Sequence, residues 1–342
     1  MNKSAYLRKL GLLVVLFAMM FASCDNSIVF DDEGDCSVYY RINFKYDKNM
    51  KYADAFSNEV TSVALYVFDE AGTLVYKGTE SGAALAAEDY SMPVELLPGD
   101  YELLAWCGAG ESFSLPEAIV GVTTIEEQKC RMNGEDDAAG FGVVNKELEN
   151  LFHGYLKTTF TDEPGVQYQT MELTKNTNCV RVILQHLSGE DVDHSLFSFE
   201  VQDYNGYLAH DNSLLSDQLI VYKPWSISTG SADVDAELND ATRATAVNVA
   251  LAEMTTSRLV MGQRPILVVR NLKEDKVVLS IPIIDYALLV KGFYNRPMDD
   301  QEYLDRQDEY NFTFFLDESG DWASSVIMIN SWRVVLNNGV IN

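Results

Sequence analysis

Five cysteines, four histidines and 52 acidic side chains are the groups in this 342-residue chain that could carry chemistry. The histidines, His153, His186, His194 and His210, are scattered without the HExxH spacing that places two imidazoles on one metal. No nucleophile elbow presents a serine, and Gly108-Ala109-Gly110 is a lone G-x-G without a phosphate-cradling loop around it. Carboxylate pairs are frequent simply because acidic residues are. Glu135, Asp136 and Asp137 lack the alternating oxygen register of a calcium loop and read as a solvated loop. His153, in Leu151-Phe152-His153-Gly154, reads as a packing or turn residue. The chain offers no catalytic constellation, no metal site and no cofactor motif, so it is expected not to be an enzyme.

One thiol differs from the rest in what precedes it. Lys3, Arg8 and Lys9 lead into Leu10–Cys24, fifteen residues without a charge. That run is short of the roughly 20 apolar residues a membrane-spanning helix requires and has the form of a signal peptide. It ends in Phe21-Ala22-Ser23-Cys24, which resembles the lipobox of bacterial lipoproteins. There the thiol is acylated and the chain is cut just before it, between Ser23 and Cys24. The alternative is an ordinary secretory signal with a cysteine nearby. Each buried methylene adds about 0.8 kcal/mol of membrane affinity, so several acyl chains tether a protein permanently. The covalent lipid on Cys24 is the only added group expected.

Cys36, Cys107, Cys130 and Cys179 remain, an even number in an oxidising compartment, and their spacing matches no zinc pattern. Three full pairings are open. The expectation taken forward is a single disulfide, Cys36–Cys107, with free buried thiols as the alternative.

Removal of residues 1–23 takes away three basic and no acidic side chains, moving the formal charge from −27 to −30. So acidic a chain will not seek nucleic acid through general electrostatics. The 319 residues left exceed what one core usually supports, and 47% hydrophobic content argues for packed cores.

Residues 24–36 read as an acidic linker, and acidic residues just after a lipidated cysteine also resemble a surface-export signal. From Ser37 the pattern has period two: Val38, Tyr40, Ile42 and Phe44 share one face. Thr61–Asp69 and the stretch from Thr73 form a hairpin around Glu70-Ala71-Gly72, and Pro98-Gly99 turns into a strand ending at Trp106. Residues 109–150 read as loops leading out of a first domain spanning 37–152. The second domain, 153–342, opens with a strand at Leu151–Phe160. Met171–Leu187 follows as one long strand, then a hairpin turn at Asn205-Gly206 and a polar loop at 226–248. Strands at 264–271 and from Lys276 into Val290, a helical turn at Gln301–Tyr310 and two closing strands complete it. The class is all-β, built as sandwiches.

Taken in order, several segments resemble the FimB-type fimbrial anchor lipoproteins of Bacteroidales. They are the lipobox cysteine followed by Cys36, YDKNMKYADAFSNEV, LPGDYELLAW, LFHG, TKNTNCVRVILQ, NGYLAHDN, TTSRLV, IPIIDYALL, EYLDRQDEYNFTFF and INSWRVVL. They cover nearly the whole mature chain. The resemblance implies two tandem transthyretin-like β-sandwich domains behind a lipoprotein signal peptide. It implies a structural role at the base of a fimbrium, attached to the outer membrane at the cell surface, with stalk pilin subunits as partners and a part in limiting fimbrial length. Cys107 stands where Gly is more usual, so no disulfide is carried over.

In the resembling system stalk pilins lose an N-terminal strand to an arginine- or lysine-specific protease, and a neighbour's strand fills the groove. The first basic residue after Cys24 is Arg41, inside the first strand. A cut there would release the lipid, so an anchor is expected to keep that strand. Its polymerising end is then the C-terminus, where Val326, Met328, Trp332, Val334 and Leu336 are expected on one face as donor-strand contacts; the alternative is an ordinary last strand. Two other readings stand beside the anchor: a stalk or tip pilin, and a surface lipoprotein that binds glycans, for which Trp225 is the loop-like platform. Replacing Cys24 by Ala is expected to abolish incorporation of labelled palmitate and leave an unprocessed or soluble protein. Equal labelling of the variant would remove the lipid from the reading.

Overall fold

The computed structural model describes residues 37–136, 140–233, 246–292 and 295–335. The signal peptide, Cys24, the linker with Cys36, and Leu336 lie outside the described residues. In chain order the first strands are β1 (Val38–Lys45), β2 (Ser62–Phe68), β3 (Leu74–Ser81), β4 (Ser91–Val94) and β5 (Gly99–Cys107), with helix α1 (Phe56–Glu59) after β1. Four short strands follow: β6 (Phe113–Ser114), β7 (Cys130–Met132), β8 (Glu135–Asp136) and β9 (Gly142–Val144). Then come β10 (Phe152–Phe160), β11 (Gly165–Lys175), β12 (Thr177–His186), β13 (Phe197–Asp203), β14 (Tyr207–Leu208) and β15 (Ile220–Tyr222). The remainder is β16 (Ser226–Asp233), β17 (Ala246–Ser257), β18 (Ile266–Asn271), β19 (Lys276–Pro282), α2 (Ile283–Leu289), α3 (Asp300–Arg306), β20 (Glu309–Leu316), β21 (Trp322–Ile329) and β22 (Trp332–Val335).

These strands make two tandem β-sandwiches. The first is a seven-stranded sheet in the order β3-β2-β5-β10-β11-β1-β4, folded over where β11 leaves β1 to pair at its end with β10. Period-two alternation puts Tyr40, Ile42 and Phe44 of β1 into its core against Val63, Leu65 and Val67 of β2 and Leu103, Ala105 and Cys107 of β5. The second domain sets the sheet β16-β17-β12-β20-β21-β22 against β19-β18-β13-β15-β9-β8. Val180, Val182, Leu184, Phe312, Phe314, Ile327 and Ile329 meet Phe199, Val201, Leu267 and Val269 there.

The change of domain does not fall at residue 152. β10 and β11 belong to the first sheet, so the chain crosses over after Lys175. The expected long strand Met171–Leu187 is accordingly two strands, broken at Asn176. Its backbone N–H bonds Leu151 O at 2.7 Å, and its side chain pairs with the Asn212 amide. Residues 109–150 are not merely exit loops: β9 pairs with β15, and β7 with β14, both strands of the second domain. Asn205-Gly206 closes no hairpin, because β13 and β14 lie in different sheets. Residues 226–233 of the expected loop form a strand paired to β17, and residues 234–245 lie outside the described residues. Serine, glycine and alanine give that strand no readable alternation. The apolar run after Pro282 turns helical as α2.

Strand direction gives the molecule two poles. β1 and β11 run parallel toward the second domain, and β12 runs away from the first. β20 is parallel to β12, β21 returns, and β22 again runs away. The chain therefore enters at the outer end of the first domain, and its last described strand points to the outer end of the second.

Gly108 ends β5 where the chain leaves the first sheet. Its φ is +73°, its N–H bonds Ser62 O at 3.0 Å, and a Cβ would strike the Asn150 carbonyl. Replacing it by Ala is expected to cost about 1–2 kcal/mol from the backbone conformation alone, with the clash added. A melting temperature equal to the parent's would contradict this.

Candidate functional site

The terminal strands and the junction between the domains are where this architecture can do work. β1 is an interior strand, parallel to β11 on one side and antiparallel to β4 on the other. Arg41 donates to Ser91 Oγ and Ser91 O, each at 2.7 Å, which adds a side-chain tie to β4. The groove that loss of this strand would open is filled by the chain itself.

The C-terminal segment departs from its expected geometry. Asn330 and Ser331 have φ of +47° and +68°, the two positive angles of a type I′ turn, and they fold β21 and β22 into a hairpin. Directly opposed residues share a face, and the pairs are Ile327–Val334, Ile329–Trp332, Met328–Arg333 and Val326–Val335. Met328 and Arg333 therefore lie on one face, while Trp332 and Val334 lie on the other with Ile327 and Ile329. The five expected contacts do not form one face, and Leu336 is outside the described residues. Counting through the turn as continuous strand is what misplaced them. β22 is the edge of its sheet and presents Trp332 at 64% exposure.

Of the expected Cys36–Cys107 bridge only Cys107 is described. It is a free thiol, fully buried in the first core, and burial pushes its pKa up. Trp106 beside it is buried as core, whereas Trp225 is only half-buried.

The domain junction holds a cluster that the sequence did not announce. Asp305, in α3, has a side chain only 2% accessible. Arg258 grips it with Nε to Oδ1 at 2.7 Å and Nη2 to Oδ2 at 2.8 Å, and Lys48 of the first domain reaches Oδ2 at 2.9 Å. Arg306 donates to Asp47 O at 3.0 Å and lies over the Tyr52 ring. Lys175 pairs with Asp308 at 2.7 Å and Glu59 at 3.0 Å. Nothing in QEYLDRQDEY pointed to partners 47 and 257 residues away.

Burial acts most strongly on Asp305 and pushes its carboxyl up, but the hydrogen bonds and charge of Arg258, joined by Lys48, outweigh it and hold it below the usual range. Its contribution is present above the ordinary carboxylate pKa and lost as pH falls through the lowered value. Burial lowers Lys175, yet Asp308 and Glu59 raise it above its ordinary value, so its contribution fades only as pH rises beyond that. Asp305 and Lys175 are thus both charged through the neutral range. A cleft of about 570 Å³ lies beside it, with Lys48, His153, Tyr155, Arg258 and Arg306 in its wall. His153 is the packing residue expected: its Nε2–H donates to His210 O at 2.7 Å, its ring tilts against Trp106, and burial lowers its pKa to about 4.

Two tandem sandwiches, with β1 held inside the first sheet and β22 at the edge of the last, are an architecture with counterparts among solved bacterial structures. A candidate adhesin from Bacteroides thetaiotaomicron superposes with a TM-score of 0.77 at 33% identity, covering 87% of this chain and 97% of that one. A candidate polysaccharide-binding protein from the same species gives 0.75 at 32% identity, over 88% and 99%. The fimbrial anchor protein Mfa2 from Porphyromonas gingivalis shares the fold, with a TM-score of 0.65 at 15% identity over 88% of this chain and 99% of that one. In sequence, the minor fimbrium anchoring subunit Mfa2 of P. gingivalis is 27% identical over 138 residues, 39% of this chain and 42% of that relative's length. The chain belongs to the family of Fimbrillin-A associated anchor proteins Mfa1 and Mfa2, whose model matches residues 32–338.

Substituting Asp305 by Asn leaves Arg258 and Lys48 facing each other without their shared carboxylate. Removing one member of a buried pair typically costs about 3–5 kcal/mol. The variant is expected to melt earlier and to be cut sooner by protease near Asn176, and unchanged cutting would contradict the clasp.

Proposed function

We propose that this chain is a non-catalytic lipoprotein that holds a fimbrium to the outer membrane. It sits at the fimbrium base, surface-exposed, with lipid on Cys24 as its attachment and stalk pilins as its partners. The observation that carries the reading is β1, an interior strand whose removal would unfold the first core and sever the lipid together. A stalk subunit must give up such a strand; an anchor must not. The two poles support the same division, with the tether entering at one and β22 running toward the other. Among the described residues β22 has a neighbour on one side only, so a partner strand would find its other edge free, and main-chain hydrogen bonds would supply the affinity. A terminal subunit that joins the shaft at one end only also sets where growth stops, which supports a part in limiting length.

The glycan reading draws on the 32% identical relative named for polysaccharide binding. Against it, the expected platform Trp225 is half-buried, and the exposed tryptophan is Trp332, on the open edge. Purified polysaccharides offered to the protein separate the two readings.

Truncation from Ser331, or Asp in place of both Trp332 and Val334, is expected to preserve lipidation and the first domain while fimbriae are shed into the medium. Attached fimbriae of normal length on cells making the stable truncation would overturn the role of β22. Processing of the parent beyond Cys24 would overturn the anchor reading itself.

A further inference from the structure

Exposed apolar side chains gather at the pole where the chain enters the first domain. The strand ends that meet there are paired as Val38 with Gly165, Gly99 with Phe160, and Phe68 with Leu74. Leu97, just before β5, is 77% exposed, and Val166 and Tyr168, at the start of β11, are 50% and 56% exposed. Ile119, Val120 and Val122, the last at 67%, lie on a loop pinned beside the first residue of β3. Leu74 N–H bonds Thr123 O at 2.9 Å, and Gly121 N–H bonds Leu74 O at 2.7 Å. These side chains all belong to loops and strand starts at one end of the first sheet, and exposed apolar groups concentrated at one end of a molecule point to a contact surface.

The tether indicates what covers them. Thirteen residue steps separate Cys24 from Ser37, which extended span at most about 45 Å. A lipid on Cys24 therefore keeps this pole within about 45 Å of the bilayer and sets no such bound on the other. Tethering at short range raises the effective concentration to roughly the millimolar level, so an interfacial affinity too weak to act in free solution suffices. Tyr168 has the amphipathic ring favoured at headgroup level. Glu70, Asp100 and Glu163 are exposed at the same end, which sets it against anionic headgroups and in favour of zwitterionic ones.

We propose that the entry pole of the first domain docks on a zwitterionic lipid surface, with Leu97, Ile119, Val120 and Val122 entering the headgroup region. The docking rests on the lipidation reading and adds to it: the lipid holds the protein near the membrane, and the pole sets how it stands there.

The test uses the lipidated full chain in phosphatidylcholine vesicles carrying brominated acyl chains. Tryptophan is introduced singly as Leu97→Trp, Val122→Trp and, at the opposite pole, Leu196→Trp. The expected result is loss of the added emission for the first two and none for the third, with circular dichroism unchanged from the parent. Full emission from Leu97→Trp and Val122→Trp on protein that floats with the vesicles would overturn the docking and leave the anchor standing. A blue shift at those positions without bromine quenching would assign the pole to a protein contact and likewise overturn it. Failure to float, with no acyl mass on Cys24, would overturn the lipidation reading and the docking built on it.

Discussion

The constraint on which this molecule depends is the two-sided burial of β2 and β5. Alternate residues of one strand serve two different cores. Leu103, Ala105 and Cys107 face the first sandwich, while Leu104 and Trp106 face the apolar cluster that continues into the second domain. Each fully buried Leu or Val contributes roughly 1.5–3 kcal/mol over its exposed state. A sheet that is apolar on both faces must be covered on both. Residues 109–151 and the second domain supply the cover. The second sandwich is therefore part of what keeps the first one's sheet dry.

The charged junction has a different task. Apolar contact is non-directional and tolerates sliding, whereas the fork of Arg258 on Asp305 has one geometry. Asp305 is almost wholly buried and would be costly alone; Arg258 from its own domain and Lys48 from the other offset that cost together. The result is a fixed relation between domains rather than a large gain in stability. That suits a chain whose first and last described strands point to opposite ends, because a load applied between those ends must cross this junction.

Much of the architecture was legible because its periodicity is local. Val38–Lys45, the hairpin at Glu70-Ala71-Gly72, the Pro98-Gly99 turn and the strand pair about Asn271–Asp275 all lie where alternation and turn chemistry put them. Three of the misreadings share one physical origin. Asn176, Asn205 and the Asn330-Ser331 turn are places where the chain changes sheet or reverses. Their side chains or backbone are held by partners distant in sequence, as Asn205 is by Ser257 O and Arg258 O. Neither residue type nor local spacing records such partners.

What the sequence by itself determined is the class of the molecule: an acidic, strand-rich chain in packed sandwiches. Composition and period-two burial suffice for that, since they state which surfaces must leave water. The tertiary structure alone decided which strands share a sheet, that β10 and β11 belong to the first domain, and that β21 and β22 form a hairpin. It alone gathered Lys48, Arg258 and Asp305 into one cluster. Those outcomes depend on pairing between segments tens to hundreds of residues apart, where hydrogen bonds and charge compensation choose among registers that hydrophobic pattern leaves equivalent.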